Sequence, residues 1–232
     1  MRRNEQNARL VRNAEQYYRA MFGGRAESWN LRDTHMMEAL EALVEWTRRR
    51  GGAGKAVVWA HNSHLGDACA MQMAEWGELN LGQLVRQRYG RGACLVGFTT
   101  HAGTVTAARD WDAPAERRQV RPSLAGSYDR LFHQVNLPQF LLLLDREPAR
   151  APLLPPRLER AIGVVYRPET ERASHYVRAS LPALFDAIVH VDVTTALTPL
   201  APQRAKTARW GPRVERWSYE EADLPETYPI GV

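Results

Sequence analysis

KAVVWAHNSHLGDA, residues Lys55 to Ala68, joins an apolar run to a cluster of polar groups. The apolar run Ala56 to Ala60 ends abruptly in His61 and His64, with Gly66 and Asp67 close behind. A buried strand reads this way when it delivers polar groups to the rim of a sheet. In open α/β sheets, sites form just outside the carboxyl ends of the strands. Near-continuous apolar character over Lys55 to Ala60 predicts a strand covered on both faces.

Outward from that stretch, helices and strands alternate. Apolar spacing predicts a helix from about Glu5 to Phe22, stopped by Gly23-Gly24, and a second from Arg32 or Asp33 to Arg50, closed by Gly51-Gly52. Asp33 reads as the N-cap of the second helix and His35 as a surface or capping residue near its start. Asp67 to Trp76 reads as helical, and Asn80 starts another helix with Gln83 in a capping-box arrangement. Strands are predicted over Ala93 to Phe98, Phe140 to Leu144, Ala161 to Tyr166 and Phe185 to Val191, with a Ser127-capped helix to Val135 between the first two. Arg109 to Gly126 has no stable period and reads as a long loop. The fold class is therefore α/β with a mainly parallel sheet, in one domain over residues 1–200. Residues 201–232, with Trp210 and Trp217, read as an irregular tail.

Composition narrows the function classes. With 44% hydrophobic and 25% charged residues, an ordinary globular core is expected. The net charge of +5 comes mostly from arginine, for Lys55 and Lys206 are the two lysines, and acids interrupt the arginines. No continuous nucleic-acid stripe results. Cys69 and Cys94 form neither a disulfide framework nor a zinc spacing, which suits a cytoplasmic protein with reduced thiols. The N-terminus lacks the apolar core of a secretory signal, and no run approaches a membrane span. No GxGxxG follows a strand, and no Walker loop or GxSxG elbow occurs. Neither nucleic acid, membrane nor cofactor is expected.

His61, His64 and Asp67 are spaced by three, so a helical turn after Ala60 brings them toward one face. Three readings fit. The imidazoles can act as acid/base groups, because histidine titrates near neutral pH. They can hold a metal with Asp67, although no acid sits between them as in HExxH. They can also be structural, hydrogen-bonded at a strand end. Asn62 accompanies them. A second polar cluster runs from Tyr166 to Tyr176 and contains Arg172 and His175. It reads either as a salt-bridged loop or as a ligand-binding one.

VVWAHNSHLGDA resembles the signature of the erythromycin esterase family, which includes succinoglycan-biosynthesis-type homologues. WNLRDTHMMEAL (Trp29 to Leu40), GELNLGQLVRQRYG, LVGFTTHAGTVTAARDWDAP, RPSLAGSYDRLFH and IGVVYRPETERASHYVRASLPALFDAIVHVD resemble further family stretches, in family order, from about Asn7 to Leu200. The resemblance implies a three-layer α/β/α fold with extra helices. It implies metal-independent hydrolysis of an ester or a macrolide lactone, with a histidine activating water and no cofactor. His61 and His64 match the paired histidines of the family's HNxH motif, one orienting or protonating the ester while the other holds the geometry. Asn62, Asp67, Arg172 and His175 are then cleft residues. His101 stands where family members often carry a tyrosine.

The family's histidine base and its neighbouring glutamate lie on a GExxHG-like motif near the first strand. This chain has no such motif and enters the family pattern about halfway along. The resemblance therefore covers the C-terminal half of the family fold, and its partner is a missing N-terminal half or a second copy. Two further functions stay open: a non-catalytic module that binds a ligand or partner through the same cleft, and a metal hydrolase using His61, His64 and Asp67.

Overall fold

The computed structural model describes residues 3–20 and 25–198. The tail over residues 201–232, with Trp210 and Trp217, lies outside the described residues. Two long helices lead, α1 (Arg3–Ala20) and α2 (Arg25–Arg49). α1 lies against α2 through an Arg12–Glu38 ion pair at 3.7 Å and a hydrogen bond between the Asn13 and His35 side chains. His35 thus faces α1 from inside a helix and caps nothing. Gly51, at φ +79°, supplies the left-handed residue that ends α2, and the Gly52 N–H returns to the Thr47 carbonyl at 3.0 Å.

Lys55–Ala60 is the main departure from expectation. It forms no strand, and Val57 and Trp59 are 95% and 82% exposed. A strand is defined by its ladder, and no backbone hydrogen bond reaches these residues among the described ones. After them comes a single turn, α3 (Asn62–Leu65). Two 3₁₀ turns, Ala68–Ala70 and Gln72–Trp76, replace the helix expected over Asp67 to Trp76. Then α4 (Leu81–Tyr89) begins with Asn80 as its cap, accepting from the Gln83 N–H at 2.9 Å.

The central sheet contains β1 (Val96–Thr99), β4 (Gln139–Leu143) and β7 (Ala187–Val191), in the order β1-β7-β4. β1 runs parallel to β7, and β4 runs antiparallel to it. A second sheet joins β2 (Ala102–Ala107) antiparallel to β3 (Glu116–Val120) and parallel to β8 (Val193–Thr194). β3 lies inside the predicted loop: its residues are mostly exposed and polar, so no apolar alternation announces it. The stretch expected as a strand at Ala161 to Tyr166 keeps only a bridge from Val165 to Ala108. The strand there comes earlier, as β5 (Arg157–Arg160), paired antiparallel with β6 (Tyr176–Ala179). Three short helices complete the set: α5 (Tyr128–His133), capped by Ser127 as the sequence predicts, α6 (Glu171–Ser174) and α7 (Leu181–Leu184). The architecture is mixed α/β, with parallel pairing in two of the sheets.

The core lies under one face of the central sheet. Phe132, Leu144, Leu181, Leu184, Phe185 and Ile188 are buried together there. Each such side chain contributes roughly 1.5–3 kcal/mol. Gly97 in β1 is required for this closeness: a Cβ there would lie 2.6 Å from the Phe185 ring.

Candidate active site

The two histidines of the opening stretch have different surroundings. His61 sits just before α3, with both ring nitrogens committed. Nδ1 accepts the Ser63 N–H at 3.2 Å and lies 2.9 Å from the Ser63 hydroxyl. Nε2 is 2.9 Å from the Ile162 carbonyl, to which it can only donate. Burial pulls this imidazole down to about 4, against the pull of the Ile162 bond and with a smaller push from nearby His64. His61 is thus a neutral clamp joining the turn to the backbone at Ile162, 101 residues on.

His64 is built differently. Its Nδ1 lies 2.9 Å from both carboxylate oxygens of Asp33, which is fully buried. Its ring stacks on Trp29 at 4.6 Å, with planes 8° apart. Trp29 is itself pinned by its indole N–H to the Leu79 carbonyl at 2.7 Å, and the Arg32 guanidinium lies 4.7 Å over its ring. Trp29, Arg32 and Asp33 stand at helical spacing on α2, so one helix face supplies the carboxylate and the stacking platform together. The Leu81 N–H, in the first turn of α4, also donates to Asp33 at 2.9 Å. A helix N-terminus favours a negative charge placed there. With the proton held on Nδ1, Nε2 is an open acceptor, and no protein group bonds to it among the described residues.

Buried Asn80 ties this arrangement to the body. Its amide donates to the Ser63 carbonyl at 2.7 Å while its oxygen accepts from Ala68 and Gln83. Gly82 lets α4 approach: a Cβ there would fall 2.2 Å from the Leu65 carbonyl oxygen.

Asn62 accepts from the Phe98 N–H at 3.1 Å and donates to the Phe98 carbonyl at 2.7 Å, so its amide imitates a neighbouring strand at the edge of β1. The same NH₂ reaches Glu159 at 3.3 Å. Glu159 and Asp129 are both buried. Burial, then the charge of Asp129, pushes Glu159 up to about 8. Burial raises Asp129 to about 6 against the opposing charge of Arg160.

The remaining expected residues do not join His64. Asp67 turns away and caps the following turn, accepting from the Cys69 N–H at 3.1 Å. The ligand set His61, His64 and Asp67 therefore does not converge on a metal, and no group of three such side chains is arranged for one among the described residues. Arg172 is exposed and makes no hydrogen bond or ion pair among the described residues. His175 is buried, accepts the Arg167 N–H at 3.0 Å and is pulled down to about 4, chiefly by burial. Its loop is a salt-bridged scaffold: Arg160 pairs with Glu171 at 3.1 Å, and the Tyr166 hydroxyl donates to the same carboxylate at 2.9 Å.

A further polar group, of which the sequence singles out only His101, lies at the carboxyl ends of β1 and β7. His133 donates to Asp192 at 2.8 Å, His190 bonds Thr99 at 2.9 Å, and His101 stacks on His133 at 3.6 Å. The His101 Nδ1 meets the buried Ser123 hydroxyl at 2.6 Å, which leaves that hydroxyl closed to solvent. Asp33 is the principal residue that sequence reasoning placed wrongly. The signal was present: an aspartate four residues after a tryptophan on one helix face, inside a helix that starts at Arg25.

A model of the erythromycin esterase family matches residues 1–194. Solved structures are similar as well. A Bacillus cereus protein superposes with a TM-score of 0.63 at 22% identity, over 82% of this chain and 44% of that one. A succinoglycan biosynthesis protein gives 0.59 at 20% identity, over 77% and 42%. A mutant of the erythromycin esterase EreC in its open conformation gives 0.54 at 17% identity, over 77% and 41%. The chain thus spans less than half the length of each solved structure it matches. At these identities the likeness to the solved structures is one of fold.

Proposed function

The chain belongs to the erythromycin esterase family, and from that premise we propose that it carries the proton-transfer histidine of a hydrolase acting on carboxylic esters or lactones. The single observation behind this reading is the Asp33–His64 pair, a buried carboxylate gripping Nδ1 while Nε2 stays open. In the reaction, a water oxygen bonds to the acyl carbon as its proton passes to a base. His64 Nε2 can take that proton. Alternatively, already protonated, it can give one to the leaving alkoxide as the C–O bond breaks. Either way a carboxylic acid and an alcohol result, and Asp33 balances the imidazolium charge. His61 holds the turn that aims His64. A macrolide lactone is the substrate that the family name suggests.

The test is hydrolysis of a p-nitrophenyl ester and of a macrolide lactone by the protein assembled with any complementary half. His64→Ala should lower the rate about 10²–10⁴-fold, whereas a folded His61→Gln should retain most of it. Equal loss in both variants would remove the distinction between a reacting histidine and a clamp. A second reading is a non-catalytic binding module, for Asp67 caps a turn and the other expected cleft residues do not gather around His64. A thermal shift with a macrolide, without turnover of any ester, would support it.

A further inference from the structure

Strand β5 and the backbone that continues it grip the histidine turn at two consecutive residues. Glu159 Oε1 accepts from the Asn62 amide at 3.3 Å, and three residues on the Ile162 carbonyl accepts from His61 at 2.9 Å. Asn62 in turn spans the Phe98 N–H and carbonyl at 3.1 and 2.7 Å. Asn62 opens α3, and His64 follows two residues later in the same single turn. Whatever fixes the Asn62 amide therefore fixes the turn that carries His64. The His61 bond ends on a backbone carbonyl, which has one state at every pH. The Glu159 bond ends on a group that can change its charge.

Glu159 is buried beside a second buried acid, Asp129 of α5. The other ionisable groups around it are Tyr128 of α5 and, on its own strand, Arg157 and Arg160. Its partner across the ladder in β6 is apolar Val177. The Arg160 guanidinium is spent on Glu171 at 3.1 Å and on the Arg121, Thr100 and His101 carbonyls. No guanidinium lies within ion-pair distance of Glu159 among the described residues. Two buried carboxyls side by side resist ionising together. Burial, then the Asp129 charge, pushes Glu159 up to about 8, whereas Asp129 lies at about 6. At neutral pH Asp129 thus carries the charge and Glu159 the proton. A protonated Glu159 still accepts the Asn62 bond through its carbonyl oxygen. Loss of the proton would put a second negative charge in the same buried place, which favours a carboxylate that turns toward water and leaves Asn62.

With the hydrolase reading above as premise, we infer that Glu159 is a positioning residue for that reaction: it holds Asn62, and through it the turn that aims His64, for as long as it keeps its proton. Glu159 touches no reacting atom and acts through Asn62 alone.

The Asn62 side-chain amide reports this contact in proton–nitrogen-15 spectra across the alkaline range, independently of any turnover. In the native chain its shift should move with a midpoint at about pH 8. Glu159→Gln keeps a carbonyl acceptor and has no proton to lose, so the same amide should stay flat. Asp129→Asn removes the neighbouring charge, so the midpoint should move to lower pH. Hydrolysis of the p-nitrophenyl ester, corrected for the spontaneous reaction, is followed over the same range. From about pH 7 to about 9.5 the native rate should fall at least about tenfold, and the Glu159→Gln rate no more than about twofold. Glu159 loses this role if the Asn62 amide is flat in the native chain, or if its midpoint persists in Glu159→Gln. It loses it equally if Asp129→Asn leaves the midpoint in place, or if the alkaline fall in rate survives in Glu159→Gln. If no ester is hydrolysed at any pH, the hydrolase reading fails, and the amide titration still decides whether Glu159 governs the turn.

Discussion

Asp33→Asn keeps the side chain's shape and removes its charge, which isolates what the carboxylate does for His64. In the native arrangement one carboxylate oxygen accepts from Leu81, and both lie 2.9 Å from His64 Nδ1. An asparagine oxygen can keep the Leu81 bond, but its NH₂ then faces Nδ1 and can only donate. His64 must turn Nδ1 into an acceptor, so its proton moves to Nε2. That tautomer cannot take a proton from water. The structural cost is small: one hydrogen bond to a charged group, worth about 1.5–3 kcal/mol, becomes a neutral one worth about 0.5–1.5 kcal/mol. Stability should therefore fall by about 1–2 kcal/mol, while hydrolysis falls about 10²–10⁴-fold. Nitrogen-15 shifts of the His64 ring report the tautomer, a thermal melt the stability, and ester hydrolysis the rate. A variant that melts as expected but keeps the Nδ1–H tautomer, or hydrolyses within about twofold of the native rate, would rule out this role for the Asp33 carboxylate.

Other perturbations address the scaffold. His61 is held near 4, below its unfolded value of 6.5, so the unfolded chain binds the extra proton between those pH values. Stability from this group is complete above about pH 6.5 and is lost as pH falls through about 4, by up to about 3 kcal/mol. Urea titrations across that range should show a shallower acid loss in His61→Gln, and an unchanged slope would contradict the burial argument. Glu159 carries the opposite sign: its folded value near 8 exceeds the unfolded 4.5, so stability falls as pH rises between them. Glu159→Gln should flatten that decline in the same titrations, and a steeper decline would sink the assignment. Gly82→Ala would press a Cβ against the Leu65 and Gly66 carbonyl oxygens, 2.2 and 2.4 Å away. Melting should show a loss of about 1–3 kcal/mol or more, and a neutral effect would mean that α4 can withdraw from the histidine turn.

Much of the fold was legible because local physics decided it. The caps at Asn80 and Ser127, the glycine stop after α2 and the strands around Phe140 and Ile188 follow from side-chain and backbone chemistry within a few residues. Reading failed where tertiary partners decide. Lys55–Ala60 has the composition of a covered strand, yet pairing and cover come from other segments, and the described residues supply neither. β3 was hidden for the converse reason: its polar residues pair with β2 at an exposed edge without apolar alternation. Asp33 looked like a cap because the apolar periodicity starts after it. α2 nevertheless begins at Arg25, and a fully buried aspartate inside a helix requires a partner, here His64. The paired histidines stood out in the sequence, but only their hydrogen bonds distinguish the clamp from the open group.

If Asp33 and His64 act as one proton-transfer unit, removing either should leave the other with little to contribute. A double-mutant cycle on ester hydrolysis with Asp33→Asn, His64→Gln and their combination tests it most directly. His64→Gln alone should cost about 10²–10⁴-fold, and adding Asp33→Asn should cost almost nothing more. Additive losses, or a His64→Gln protein within about twofold of the native rate, would contradict it.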